Sequence, residues 1–144
     1  MEKVPDAERT DATPKAGKLG CQELSGQVIG AAITVHRALG PGFLESIYER
    51  ALMVELLNRD VPFECQKMVR VFHRDVEVGE HRLDLLVAGI LLVELKAVSA
   101  WQDIFFAAAR SQMRAANISE GLILNFAMIP LGIKRVGPGR NVDM

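Results

Sequence analysis

Residues 84–96 read DLLVAGILLVELK, and this stretch predicts the centre of the fold. Its apolar residues run almost without interruption, yet the run is too short to cross a membrane, a pattern typical of central strands. Asp84 stands at its start, and Glu94 and Lys96 stand two residues apart at its end. Charge is costly in such surroundings unless it is paired or holds a metal. These three residues therefore need an explanation.

The stretch predicts a hairpin that turns at Gly89, the residue in it that most readily takes a positive φ. A turn centred there places Asp84 directly opposite Glu94. Paired residues share a sheet face, as do residues two apart, so Asp84, Glu94 and Lys96 would project to one side. A two-residue turn at Ala88 and Gly89 would instead put Asp84 on the other face. The prediction therefore requires a loop with an odd number of residues.

Length and composition set the broad class. A chain of 144 residues suits one domain that buries a core without metals or disulfides as staples. A hydrophobic content of 49% with 24% charged residues is ordinary for a soluble globular protein. The formal net charge is −1, whereas proteins that hold a nucleic-acid backbone commonly carry a basic excess. This balance disfavours tight, sequence-independent DNA binding and leaves a local basic patch open.

The cysteines and the N-terminal segment favour a reduced, cytoplasmic setting. Cys21 and Cys65 lie far apart and form no CxxC pair, so neither a zinc ribbon nor a redox motif is predicted. The start of the chain lacks the apolar core of a signal peptide, and no run reaches the length of a membrane span. We predict a disordered tail over residues 1–20, a single domain over 21–137 and a short tail over 138–144.

Hydrophobic periodicity predicts an α/β fold with one mixed sheet. The predicted elements are helices at 23–39 and 43–58, strands at 63–72 and 77–87, the second arm of the hairpin, a helix within 101–117, and strands at 121–126 and 131–136. On the second helix, the predicted apolar arc comprises Phe43, Leu44, Ile47, Tyr48, Ala51, Leu52 and Val54. On the third, the residues expected to cover the sheet are Trp101, Ile104, Phe105, Ala108 and Ala109.

The charged residues of the hairpin suggest a site for a hard cation. Two carboxylates at hydrogen-bonding distance repel each other, and Mg²⁺ would remove the repulsion by taking Asp84 and Glu94 as ligands. The backbone carbonyl of Leu95 could add a ligand, and Lys96 could orient a water or neutralise charge on a phosphodiester in the transition state. A buried ion cluster without metal explains the residues equally well, since removing one partner of such a cluster costs about 3–5 kcal/mol. Both interpretations stay open on the residues alone.

Two motifs together resemble a known family. Gly42, Glu45 and Tyr48 spell GxxExxY within LGPGFLESIYERAL, and RLDLLV followed by VELK supplies an acid and an ExK pair. Over about residues 24–136 the chain resembles the GxxExxY protein family, which is assigned to the PD-(D/E)xK nuclease-like superfamily. The resemblance implies a restriction-endonuclease-like αβββαβ core, with a mixed sheet flanked by helices.

The resemblance also implies roles for individual residues. Asp84 and Glu94 would be the metal carboxylates, and Lys96 would be the catalytic lysine. Glu45 would be the acid of the first core helix that leans toward the metal or its water shell. Tyr48, one turn later, would support the same edge of the site. The implied cofactor is Mg²⁺ or Mn²⁺.

The helix after the ExK pair departs from the family pattern. Family members carry a His and a Gln there, in a pattern like HEAQ, whereas residues 105–108 read FFAA here. Gln112, one turn beyond Ala108, could take over the supporting role. Arg110 and Arg114 fall one turn apart on another face, where they could contact phosphates, although a solvated helix face explains them equally well.

We therefore predict a Mg²⁺-dependent endo- or exonuclease that hydrolyses phosphodiester bonds of DNA or RNA. The alternative is a catalytically inactive module of the nuclease fold that binds nucleic acid or protein, favoured by the missing His and Gln. A third, weaker hypothesis is a homo-oligomer formed through a sheet edge left by the strand at 121–126 and its neighbour.

Overall fold

A mixed sheet is the scaffold of the molecule. The computed structural model describes residues 20–139, so all of the tail predicted over residues 1–20 except Gly20 lies outside the described part, as do residues 140–144. Within it, five strands form one sheet in the order β1-β2-β3-β4-β5. They are β1 (Phe63–His73), β2 (Val76–Val87), β3 (Leu91–Lys96), β4 (Glu120–Asn125) and β5 (Gly132–Val136). β3 and β4 run parallel, and the other neighbours run antiparallel.

Three helices complete the fold in the described range. They are α1 (Cys21–Leu39), α2 (Glu45–Asn58) and α3 (Asp103–Ala116). α3 forms the crossover that the parallel pair of β3 and β4 requires. The Glu23 side chain accepts a hydrogen bond of 2.8 Å from the backbone N–H of Gly20 and so caps the start of α1. None of these helices, within residues 20–139, is both long and apolar enough to cross a membrane.

The helices cover both faces of the sheet, so the core has two parts. On one face, α1 and α2 bury Leu24, Val28, Tyr48, Leu52 and Leu56 against Phe63, Leu85, Val93, Leu95 and Leu124. On the other face, α3 buries Ala109 and Met113 against Leu83, Leu86, Leu92 and Ile123. The predicted α/β class, with one mixed sheet flanked by helices, is confirmed.

The predicted start and apolar arc of α2 are wrong in part. The helix begins at Glu45 and not at Phe43, and the side chains of Phe43 and Leu44 are 44% and 72% exposed. Ile47 and Val54, which the helical wheel placed on the same arc, are also exposed. The wheel treated 43–58 as one helix, whereas residues 40–44 form a separate loop with its own hydrogen bonds.

The predicted buried face of α3 is also wrong in part. Trp101 and Phe105 pack against the sheet as expected, and Ala109 is buried. Ile104 is 62% exposed, and Ala108 is exposed as well. The stripe that faces the sheet runs through Phe105, Ala109 and Met113 at a spacing of four residues, which turns the side of Ile104 and Ala108 toward solvent.

Candidate active site

The central hairpin has the register that the sequence predicted. β2 and β3 pair Val87 with Leu91, so residues 88–90 form a loop of three residues. Gly89 has a φ of 74° and Ala88 a φ of 53°, and the N–H of Ile90 donates to the carbonyl of Val87 over 3.0 Å. Ala88 and Gly89 therefore both have a positive φ, and the loop still contains an odd number of residues. This register carries Asp84 to the level of Glu94.

The sheet opens at that level. The β2–β3 ladder ends at the pair Leu85 and Val93, and the β1–β2 ladder omits Asp84 and the residue opposite it, Gln66. Leu83 packs in the part of the core under α3, whereas Leu85 packs under α1 and α2. Residues two apart in a strand normally share a face of the sheet. Leu83 and Leu85 lie on opposite faces, so the side chains of β2 switch faces at Asp84. The gap in the ladder leaves backbone groups for side chains to satisfy.

Two carboxylates fill the gap. The backbone N–H of Asp84 donates to Oε2 of Glu94 over 3.2 Å, and the backbone N–H of Leu95 donates to Oδ2 of Asp84 over 3.0 Å. Each acid thus takes the place of a missing strand carbonyl. The predicted contact between Asp84 and Glu94 is present, and backbone hydrogen bonds fix both side chains.

The electrostatics of this pair are unfavourable to two negative charges. Glu94 is only 8% exposed. Burial, followed by the negative charge of Asp84, raises the pKa of Glu94 from 4.5 to about 9, and the nearby Lys96 opposes this shift to a smaller extent. Near neutral pH and without a cation, the pair therefore retains a proton. A divalent cation that displaced this proton would remove the repulsion.

Lys96 lies beside the pair and against α3. It follows Glu94 by two residues on β3 and so shares its sheet face. On the same face, Leu92 packs with residues of α3. The Nζ of Lys96 lies 4.5 Å from the centroid of the Phe105 ring, within the range of a cation–π interaction. Phe105 thus contacts the lysine directly.

Glu45 approaches the pair from the start of α2. Partial desolvation, followed by the negative charge of Asp84, raises the pKa of Glu45, whereas Lys96 lowers it. The side chain itself stays largely exposed. Gly42, which precedes this helix, has a φ of 115°, a conformation that side chains rarely adopt. The glycine of the GxxExxY motif thus permits the loop that delivers Glu45.

Tyr48 holds the same loop from below. It is fully buried and stacks on Phe126, with ring centroids 4.6 Å apart. Its hydroxyl donates to the carbonyl of Gly40 and accepts from the N–H of Phe43 over 3.1 Å. Tyr48 therefore closes the loop before α2 and does not itself contact the carboxylate pair. The predicted support of this edge takes the form of a clamp on the backbone.

Sequence reasoning missed Glu49 and Gln66. Glu49 lies one turn after Glu45 on α2, and desolvation together with the charge of Asp84 raises its pKa, against a lowering by the hydrogen bond from Gln66. The Nε2 of Gln66 donates to the two carboxylate oxygens of Glu49 over 3.2 and 2.9 Å. The i, i+4 spacing of Glu45 and Glu49 could have indicated the second acid. No local signal pointed to Gln66.

The polar residues predicted on α3 do not join the site. Within residues 20–139, no hydrogen bond or ion pair links Gln112 to the carboxylates, and its Oε1 is buried without a partner. Arg114 donates to the carbonyl of Pro138 over 2.7 Å, and the side chain of Arg110 lies against Gly139. Both arginines therefore contact the segment after β5.

The donor set at the gap fits a hard cation. In the described part of the chain, no three His, Cys, Asp or Glu side chains are arranged as a ready-made metal cluster. The gap does offer two carboxylates in contact, and strand geometry directs the carbonyl of Leu95 to the same side as its N–H, toward Asp84. Mg²⁺ commonly binds one or two carboxylates and keeps several waters, so this set of oxygens suits it.

Comparison with known proteins identifies the family of the chain. The family model described as PD-(D/E)XK nuclease superfamily matches residues 22–136, which include all three helices except the first residue of α1, and all five strands of the described range. No curated protein and no solved structure matches the chain. The matched range covers well over half of the sequence and contains the acid and ExK residues of the hairpin. The chain therefore belongs to the PD-(D/E)XK nuclease superfamily.

Proposed function

We propose that this protein is a Mg²⁺- or Mn²⁺-dependent nuclease that hydrolyses phosphodiester bonds of DNA or RNA. The observation that carries the proposal is the contact between Asp84 and Glu94 in the gap of the sheet, with Lys96 beside it. A buried pair of acids that cannot both ionise is costly to keep without a cation. Membership of a nuclease superfamily suggests phosphodiester hydrolysis, a reaction that a divalent cation can assist.

In this proposal Asp84, Glu94 and the carbonyl of Leu95 hold the ion. When bound, the ion supplies Lewis-acid polarisation of the phosphate and a lower pKa for an attacking water. Lys96 stabilises the negative charge that develops on the phosphate, and the Phe105 ring limits the positions its ammonium group can take. Glu45 adds negative charge at the solvent side, where it can accept hydrogen bonds from waters around the site.

Calorimetry with Mn²⁺ tests the metal site separately from the reaction. We expect wild type to bind Mn²⁺ and Asp84→Asn to lose binding while remaining folded by circular dichroism. Glu77→Gln, at an exposed position of the β1–β2 hairpin, serves as the control and should bind as wild type does. Absence of binding to wild type at millimolar Mn²⁺ would contradict the metal site.

Cleavage assays test the activity itself. Supercoiled plasmid, single-stranded DNA and RNA are incubated with wild type and Glu94→Ala in Mg²⁺ and in EDTA. We expect cleavage of at least one polymer by wild type in Mg²⁺, and none by the variant or in EDTA. Equal cleavage by Glu94→Ala would show that a contaminant or another site is responsible.

A second candidate function is a module that binds nucleic acid or protein without cleaving it. Phe105 and Ala108 occupy the positions of the family's His and Gln, which removes two polar groups from α3. This candidate would be favoured if the wild-type protein binds an oligonucleotide but does not bind Mn²⁺ and does not cleave any polymer. The cytoplasmic location and the homo-oligomer remain predictions. The strand at 121–126 does not itself offer a free edge, because β4 pairs with both β3 and β5. Its neighbour β5 and the distant β1 are the edge strands of the described sheet.

A further inference from the structure

The gap in the sheet involves a third strand, β1. Gln66 lies opposite Asp84 and is missing from the β1–β2 ladder, although its neighbours Cys65 and Lys67 are paired in the same register. Before it, Cys65 packs toward α1 and α2, and after it, Val69 packs toward α3. β1 therefore turns over at the same level as β2. The gap in the sheet therefore extends across β1, β2 and β3, and Gln66 lies at its β1 end.

The backbone at Gln66 has an unusual conformation. Its φ is 52°, in the left-handed region, inside a strand. Glycine takes this conformation most readily, and asparagine and aspartate take it more readily than glutamine does. A glutamine at this position is unfavourable for the backbone alone. The reason for it must lie in its side chain.

The side chain of Gln66 binds a carboxylate next to the proposed metal ligands. Its Nε2 donates to both oxygens of Glu49 on α2, over 3.2 and 2.9 Å. Glu49 lies close enough to Asp84 for the two negative charges to repel each other. An amide fixes a carboxylate without neutralising it, whereas a lysine or arginine would add a positive charge. Gln66 thus holds the Glu49 carboxyl group in place without adding a positive charge beside it.

We propose that Gln66 is a positioning residue that holds Glu49 as the hydrogen-bond acceptor for the attacking water. This inference rests on the proposed nuclease function and adds two residues to it. Glu45 has no comparable anchor in the described structure, because no hydrogen bond to its carboxylate is present among residues 20–139. Of the two acids of α2 that interact with Asp84, Glu45 and Glu49, only Glu49 is held by a hydrogen bond within residues 20–139.

The decisive variant is Gln66→Gly, because it removes the amide and relaxes the backbone. A structural role at a position of positive φ predicts that glycine is harmless or stabilising. Our proposal predicts a protein that is at least as stable as wild type but has a kcat lower by about 10- to 100-fold. KM should stay within about twofold, because the amide of Gln66 is already bound to Glu49. Mn²⁺ affinity should stay within about threefold, because Asp84 and Glu94 are intact.

Matched variants separate this effect from a general one. Arg74 also has a φ of 52° and lies in the β1–β2 turn, so Arg74→Gly makes the same backbone change away from the site and should leave kcat unchanged. In a Glu49→Gln background, Gln66→Gly should cause no further loss of kcat. Gln66→Asn, which keeps an amide and tolerates the left-handed conformation, should recover part of the activity and serves if the glycine variant fails to fold.

Three results would overturn the proposal. The first is full activity of folded Gln66→Gly and Gln66→Asn. The second is an equal loss of kcat from Gln66→Gly in the wild-type and Glu49→Gln backgrounds, which would mean that Gln66 does not act through Glu49. The third is a wild type that neither binds Mn²⁺ nor cleaves, in which case the proposed function itself fails. A double-mutant cycle on unfolding between Gln66 and Glu49 would then report a contact that serves stability alone.

Discussion

Replacing Glu94 by Gln should stabilise the metal-free protein, and the gain should grow as the pH rises. Glu94 is buried, and its pKa rises to about 9 because of this burial and the neighbouring Asp84. Glutamine has nearly the same shape as a protonated glutamate. Its carbonyl can accept from the N–H of Asp84, and its amide can donate to the Asp84 carboxylate. The variant keeps the packing and cannot ionise.

The size of the effect follows from proton linkage. Below its ordinary pKa of 4.5, Glu94 is protonated in both the folded and the unfolded protein. Between this value and about 9, the unfolded chain releases the proton while the folded protein keeps it, so the wild type loses stability as the pH rises. Each pH unit in this window costs about 1.4 kcal/mol. From about pH 5 to about pH 8, the wild type should lose about 4 kcal/mol relative to Glu94→Gln.

Urea unfolding in EDTA at pH 5, 6.5 and 8 measures this difference. Both proteins are followed by circular dichroism, and their m-values should agree, since the surface exposed on unfolding is the same. Glu77→Gln changes an exposed glutamate of the β1–β2 hairpin and should show no pH-dependent difference in stability from wild type. Adding Mn²⁺ at pH 8 should restore the stability of wild type and leave Glu94→Gln unchanged.

A constant difference in unfolding free energy between wild type and Glu94→Gln over this pH range would contradict a raised pKa of Glu94. It would mean that Glu94 ionises normally in the folded protein and that its carboxylate is better hydrated than the structure indicates. A variant less stable than wild type at pH 8 would be equally damaging. It would show that an ionised Glu94 is stabilised by Lys96 more than burial and Asp84 destabilise it.

Three further outcomes are expected. Lys96→Met should lower kcat by about 100-fold or more while Mn²⁺ still binds, and an active variant would remove the lysine from the mechanism. Phe105→Leu removes the ring whose centroid lies 4.5 Å from the lysine Nζ. The kcat should fall by up to about tenfold, with little change in stability by urea unfolding. Unchanged activity would mean that the contact does not affect the reaction. Tyr48→Phe removes the hydroxyl that closes the loop before α2 and should cost about 1–3 kcal/mol in the free energy of unfolding, and a loss below about 0.5 kcal/mol would show that water replaces the clamp.

The hairpin shows why part of the site could be predicted. The positive φ of Gly89 is a local property of the chain. Counting residues outward from the turn then places Asp84 opposite Glu94. Strand alternation then places Lys96 on the same face as Glu94. These steps need only the covalent chain and the geometry of a strand. The prediction succeeded because each interaction lies within one supersecondary unit.

The helix faces show where such reasoning fails. The apolar residues of α2 and α3 have helical spacing, yet Ile104 and Leu44 are among the exposed side chains. Periodicity identifies a stripe on a helix, but the rotation of the helix about its axis depends on what it packs against. Leu44 also lies before the true start of α2, in a loop that Tyr48 holds. Neither effect is visible in a window of neighbouring residues.

Local sequence patterns account for the order of helices and strands, because short-range geometry controls it. They also account for the register of the central hairpin once its loop has an odd number of residues, a condition that the structure meets. Local patterns do not account for the opening of the sheet at Asp84, the contact of Phe105 with Lys96 or the hydrogen bond from Gln66 to Glu49. The partners in these contacts come from different elements. Their meeting depends on how helices dock on a twisted sheet, which is set by the packing of the whole core.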